Sequence, residues 1–422
     1  MTDVRPFRAL RYDPERVDLS RVIVPPYDVI SPEERESYWE GDPHCAIRLI
    51  LTRDAGAEQD ADYADVARLL AEWREAGVLV QDDAPAIYGL RQRFTAPDGA
   101  ELVREAFFAA LRLEDYAQRV VLPHERTMTG PKADRLKLLR ATRTNLSSIF
   151  LLYEDPDDKL AGTLAPAFDA GPTWRARDAA GTEHALTRID DPSVVEAVRR
   201  FLGERPVVIA DGHHRYETAL ANRDVGREAR PDAGPDAGFE FTLACFANAY
   251  APGSLLLPIH RVIPGVTLPD DLGARLPGWS ETRVEVASAD DVPAALAEHL
   301  APLAPAPSFA ADDGSGVLRV FVRGESDGDL AIRVVHREVV DGVFGLDEAA
   351  VAGGAIRYAK DTRGAARDAR EGAGVVLYLN ALSPDDVFRV TGAGELLPQK
   401  STFFVPKLPT GLVFRRLEDA ST

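Results

Sequence analysis

The chain has 422 residues, and 49 basic side chains against 68 acidic ones give it a net charge of −19. That balance excludes nucleic-acid binding through a broadly basic body, because counterion release needs clustered cations, yet it leaves room for a local basic pocket that holds a small phosphate. The hydrophobic fraction of 45% and the charged fraction of 28% are those of a globular protein, and the length predicts two or three lobes.

Cys45 and Cys245 stand far apart, which suits neither a disulfide framework nor a zinc motif and fits a reducing compartment. Met1 to Arg11 shows no leader pattern, and runs such as Val207–Ala210 are too short to span a bilayer. The expected location is the cytoplasm, with no membrane and no nucleic acid as partner.

In chain order, Val22, Ile23 and Val24 read as a short strand stopped by Pro25-Pro26, a rigid turn that presents Tyr27 and Asp28. Ala46 to Leu51 reads as a second strand. Tyr63, Val66, Leu69, Leu70 and Trp73 recur at helical spacing, with Gly77 just past the end. Ala86–Thr95 and Leu102–Leu111 alternate as a hairpin around Pro97-Asp98-Gly99. Strands and helices alternate irregularly, so the fold class is α/β or α+β. Arg230–Gly238 and the Pro/Ala-rich Leu300–Gly316 are candidate linkers. The expected lobes are residues 1–115, 116–300 and 301–422.

Four segments can carry chemistry. The sharpest is PVVIADGHHRYETAL, Pro206 to Leu220. The β-branched run predicts a buried strand, Asp211-Gly212 breaks it, and a helix starts near Arg215. A strand, a glycine turn and a helix N-terminus make an anion site, because the first helical N–H groups lack intrahelical acceptors. Gly212 lets backbone approach a ligand, His213 and His214 add donors, and Arg215 can fork onto a phosphate. The blander reading is a surface turn with two idle histidines. Metal binding by His213 and His214 lacks a nearby third ligand.

The second segment runs from Val120 to Asn145. Pro123-His124-Glu125 precedes a Gly130-Pro131 break, and Glu125 is a candidate general base. Lys132, Arg135 and Arg143 fall on one side of the helix expected after the break, a local basic face or simply a solvated one. The third segment, Leu396–Phe414, offers Lys400, Ser401 and Thr402 to a phosphate or carboxylate, against the plainer reading of an edge strand and loop. The fourth is His260-Arg261 after an apolar run, where a lone histidine is more often a satisfied core residue than a ligand.

PFRALRY, VPPYDVIS, LPHERT, GPKADRL, ADGHHRYETA and PQKSTFFVPKLPTGLVF, in this order, resemble domain of unknown function 1015 over nearly the whole chain. A more distant resemblance is to the small archaeal free-serine kinases, which have a ParB/sulfiredoxin-like fold. Those carry Pro-His-Glu, then Asp-Gly-His-His-Arg, then a Pro-Lys-Thr-Thr type segment. The resemblance implies a ParB/sulfiredoxin-like core with large inserted and added segments. It implies Glu125 as catalytic base, helped by Asp211 and His214, and Gly212, His213, His214 and Arg215 around nucleotide phosphate.

Lys400–Thr402 and His124 are the expected substrate contacts, with His260 and Arg261 as candidate substitutes for a basic pair that the kinases carry after this segment. The interval from Glu125 to Asp211 is longer than in the kinases, and Phe403-Phe404 stands where they have a basic pair. The implied activity is transfer of phosphate from ATP or ADP to free L-serine. Mg²⁺ accompanies it, with Asp211 a candidate ligand, and a homodimer is left open. A ParB-like nucleotide-binding switch and a nucleotide or phosphoester hydrolase are the alternatives.

Overall fold

A computed structural model describes residues 1–53, 63–125, 130–324 and 328–418. The chain forms two compact units: Met1–Leu255 with Val390–Leu396 and Pro406 onward, and Leu256–Arg389 with Leu397–Val405. The boundary at Leu255/Leu256 differs from those expected near 115 and 300. The strand at Glu101–Arg112 pairs directly with one at 241–248, so no lobe ends at 115. Ser308–Asp312, inside the expected linker, is a buried strand. Its small alanines suit an interior position as well as a loop.

The first unit is built on one mixed sheet. Its strands are β1 (Val4–Arg5), β2 (Ile87–Thr95), β3 (Glu101–Arg112), β4 (Val121–Leu122), β5 (Ile149–Tyr153), β6 (Trp174–Arg177), β7 (Glu183–Ile189), β8 (Val207–Asp211) and β9 (Phe241–Asn248). Their order is β4-β8-β5-β9-β3-β2-β7-β6, with β1 beside β3. The β8–β4 and β9–β5 pairs are parallel, and the rest of the path is antiparallel. The mixed α/β class is therefore the one observed.

Alternation along β3 sends Phe107, Ala109 and Leu111 to one face. There they pack against Leu160, Leu164, Phe168, Val198, Leu202 and Tyr216. These side chains come from α1 (Lys159–Asp169), α2 (Pro192–Gly203) and α3 (His213–Ala229). Gly89 allows the close approach: a Cβ there would lie 2.8 Å from the Phe168 ring. The opposite face of β2 and β3 carries Tyr88, Leu90, Gln92, Arg104, Ala106 and Phe108, paired across the two strands.

The hairpin, the helix at Ala64–Glu75 with Gly77 at φ +70°, and the β8-to-α3 transition match the sequence pattern. Two expected strands do not form. Leu19–Val22 and Ile47–Ile50 are single helical turns, and Val24 makes only an isolated bridge to Thr410. A stretch this short fits either period.

The second unit holds a six-stranded antiparallel sheet: β10 (His260–Ile263), β11 (Trp279–Glu285), β12 (Ser308–Asp312), β13 (Val317–Arg323), β14 (Arg357–Ala359) and β15 (Val375–Leu379). The order is β11-β13-β12-β15-β10-β14. Ala310, Val320, Val376 and Tyr378 face a core closed by Val292, Leu296, Ala366 and Ala369. Among the described residues, no helix is long and apolar enough to cross a membrane.

Candidate active site

β8 ends at Asp211 after a register shift between Ile209 and Asp211. Gly212 then turns the chain at φ +92°, and α3 begins at His213 with no side-chain cap. The turn needs glycine twice over. The positive φ strains other residues, and a Cβ would sit 2.9 Å from Nε of Arg215. The N–H groups of the first helical turn have no intrahelical acceptors and carry the positive end of the helix dipole.

His124 and His213 are buried edge to face, with ring centroids 4.5 Å apart. His124 donates through Nδ1 to the carbonyl oxygen of Ile209. Its backbone N–H donates to Nε2 of His213 at 3.3 Å. An acceptor at Nε2 places the proton of neutral His213 on Nδ1. That Nδ1 faces Oε1 of Glu125 at 3.7 Å, and the Glu125 side chain keeps 32% of its surface open. Burial and the neighbouring His124 push His213 well below the usual imidazole value, and burial lowers His124 too. The carboxylate thus stands between solvent and a neutral ring whose N–H points towards it.

Asp211 works in the opposite sense. Oδ1 lies 3.3 Å from Nζ of Lys407, and Oδ2 accepts from Nη2 of Arg215 at 3.0 Å. Burial raises its pKa, but Lys407 and Arg215 outweigh burial and hold the carboxyl at about 2. Arg215 also donates through Nη1 to the carbonyl oxygen of Ser148. Two of its donors are thus committed within the fold, so the guanidinium braces the turn as well as charging it.

Asp211 does not fit a metal ligand, since each oxygen faces a cation. Among the described residues, no three His, Cys, Asp or Glu side chains gather as a metal cage.

Lys407 is itself held in place. Arg104, fully buried and without a carboxylate, donates to the Pro406 carbonyl at 2.6 Å and to Oε1 of Gln92 at 3.0 and 2.5 Å. Its guanidinium lies 4.6 Å above the Phe150 ring, and burial lowers its pKa to about 10. Nε2 of Gln92 lies 3.2 Å from Nδ1 of His184, and Nε2 of His184 lies 2.9 Å from Oδ2 of Asp178. A polar chain therefore runs across the sheet and ends on the backbone that carries Lys407.

Beside Arg215 is a pocket of about 60 Å³, with Tyr27, Arg135, Leu138, Ser147 and Thr218 among its walls. Arg135 stacks 4.6 Å over the Tyr27 ring, and the buried Thr218 hydroxyl has no hydrogen-bond partner among the described residues.

Residues 4–293 match the family described as Protein of unknown function (DUF1015). The chain belongs to this family. Among solved structures, a free serine kinase variant in complex with ADP is similar at 14% identity and a TM-score of 0.32, over 69% of this chain and 89% of that one. A conserved hypothetical protein from Pyrococcus furiosus follows at 13% and 0.31, over 71% and 93%. C-terminally truncated SbnI from Staphylococcus aureus stands at 12% and 0.34, over 72% and 86%. No curated protein matches. At TM-scores near 0.3 these likenesses stop short of a shared site geometry.

In this DUF1015 member, His124, Glu125, Asp211, Gly212, His213, His214 and Arg215 gather in the first unit. Lys400, Ser401, Thr402 and His260 belong to the second. His260 is buried, its Nδ1 accepts from the Leu379 N–H at 3.3 Å, and its Nε2 therefore donates to Thr362 Oγ1 at 2.9 Å. No ring nitrogen is left for a ligand.

The Ser401 hydroxyl donates to the Pro398 carbonyl, and Lys400 sits at φ +55°. The expected basic face after Gly130 is divided: Arg135 is buried against Asp134 and the Ile50 carbonyl, and the helix ends at Thr142 before Arg143. The side chain of Lys132 lies outside the described residues. Sequence reasoning missed Lys407 and Arg104. The signal for Lys407 was its place between Pro406 and Pro409 in the same C-terminal motif. Arg104 gave none, because it alternates with apolar residues like any strand arginine facing water.

Proposed function

We propose that this chain transfers phosphate from ATP or ADP to the hydroxyl of free L-serine, giving O-phosphoserine, on a ParB/sulfiredoxin-like core. The observation that carries the reading is the adjacency, inside one unit, of the half-open Glu125 carboxylate and the uncapped helix start at Gly212–His213. The serine oxygen attacks the terminal phosphorus, the bond from phosphorus to the leaving nucleotide oxygen breaks, and Glu125 takes the hydroxyl proton.

The Nδ1–H of His213 orients the carboxylate without charging itself. Backbone N–H groups from Gly212 to Arg215 cradle the transferred group, and His214 lies in the same first turn. Lys407 and Arg215, anchored on Asp211, supply positive charge where the phosphoryl group gains negative charge. The pocket beside Arg215, about 60 Å³, is small, which suits a compact acceptor. None of these roles uses a protein-held Mg²⁺.

The test is mass spectrometry of products after incubating purified protein with Mg²⁺, ATP or ADP, and a panel of amino acids. O-Phosphoserine formed only in the presence of serine supports the kinase. Nucleotide binding without any product makes the chain a switch, and phosphate release without an acceptor makes it a hydrolase.

A further inference from the structure

A cleft of about 450 Å³ in the first unit lies away from the Asp211 turn, lined by residues of α1, β2, β6 and β7. Its walls include Arg91, Arg93, Arg175 and Arg177, with Phe168 at one side and Ala185 on the floor. Register explains the grouping. Arg93 and Arg177 both pair with Glu183, and Arg91 and Arg175 both pair with Ala185, so four arginines flank one strand on the same face. The small Ala185 leaves the hollow between them.

Two of these arginines are matched at home. Arg91 donates to Glu105 at 2.8 and 2.6 Å, and Arg177 lies 2.6 Å from Glu183. Arg93 and Arg175 are exposed and, among the described residues, make no hydrogen bond or ion pair. They act only at a distance, lowering the pKa of Glu183 together with Arg177. Nearby like charges on adjacent strands repel, which is a cost the fold carries here without an internal partner. In a chain of net charge −19 this local surplus of cations is unusual.

We propose that this cleft is a second ligand site, for a compact phosphate-bearing small molecule gripped between Arg93 and Arg175. Guanidinium forks match phosphate oxygens two at a time. Glu105, Asp169 and Glu183 at the margins disfavour a long polyanion, so the ligand is a small molecule rather than RNA. The site stands independently of the kinase reading.

The test is calorimetric titration of inorganic pyrophosphate into wild type and an Arg93→Ala/Arg175→Ala double variant. About 100 mM salt keeps screening near 10 Å. Both side chains are exposed, so the variant's melting temperature should match wild type and certify the fold. The expected result is one fewer pyrophosphate per chain, or at least about 10-fold weaker binding at this site. An Arg93→Lys/Arg175→Lys variant should fall between, since it keeps charge and loses the fork. Equal stoichiometry and affinity in wild type and the alanine variant overturn the proposal, as does a wild type that binds no pyrophosphate. A single-stranded oligonucleotide that outcompetes pyrophosphate overturns the small-molecule class.

Discussion

A histidine–arginine pair built around a buried histidine occupies each unit, and the two pairs are partnered differently. His213 lies on the turn after β8, with a half-open carboxylate, Glu125, facing its free ring edge. His260 lies on β10, with both ring nitrogens closed by Thr362 and the Leu379 N–H. Arg215 answers a carboxylate, Asp211, whereas Arg261 answers the carbonyls of Ile259 and Lys400 and the His336 ring. Burial lowers the pKa of His260 and His336 to about 4 and that of Arg261 to about 10. The same residue types are thus a scaffold where every atom is satisfied internally. They become a candidate reactive centre where one carboxylate still faces solvent.

The largest expected effect comes from breaking the charge balance of the first pair. Asp211→Asn removes the carboxylate that Lys407 and Arg215 both face. It should cost on the order of 3 kcal/mol, read from the denaturant midpoint at neutral pH. The folded carboxyl titrates at about 2, below its ordinary 3.8. Its contribution is therefore present above pH 3.8 and lost as pH falls through about 2. The Asn variant should lack that acid limb. An unchanged midpoint and acid limb would make the Asp211 cluster a surface feature.

In the second pair the change should touch stability alone. Arg261→Met removes donors from the Ile259 and Lys400 carbonyls and should cost about 2 kcal/mol, measured by calorimetry. Pyrophosphate or nucleotide affinity of the first unit should be unaltered. A loss of affinity would mean that the His260-Arg261 strand serves the ligand after all.

How much of this was legible beforehand depended on range. The β8–turn–α3 transition is written in Val207–Ala210, Asp211-Gly212 and the following helix formers, all within one window. The hairpin of β2 and β3 is written in two apolar-rich runs either side of a Pro-Asp-Gly turn. The placing of Glu125 beside His213 came through the family likeness, since nothing local couples them. What stayed hidden is long-range: the Ser148 carbonyl on Arg215, Lys407 on Asp211, and Arg104 reaching across the sheet to Pro406. Each joins segments whose spacing no periodicity encodes. The strands expected at Val22–Val24 and Ala46–Leu51 were misread because so short a stretch fits a strand and a helical turn alike.

The comparison sharpens further through pH. His260 is neutral in the fold and titrates near 4, against 6.5 for an ordinary imidazole. A depressed folded value means the unfolded chain binds the proton first. Stability should therefore fall as pH drops from 6.5 towards 4, by about 1.4 kcal/mol per pH unit for each such histidine. His260→Gln should flatten that slope for the second unit by one histidine. A wild-type slope of zero over this range would show that His260 accepts a proton in place.

The central claim rests on Glu125, and its most direct test is Glu125→Gln, which keeps size and hydrogen bonding and removes the basic carboxylate. Single-turnover formation of O-phosphoserine should slow by at least about 10²-fold, with nucleotide affinity little changed. A variant that phosphorylates serine at the wild-type rate would contradict the account and leave Glu125 a structural neighbour of His213.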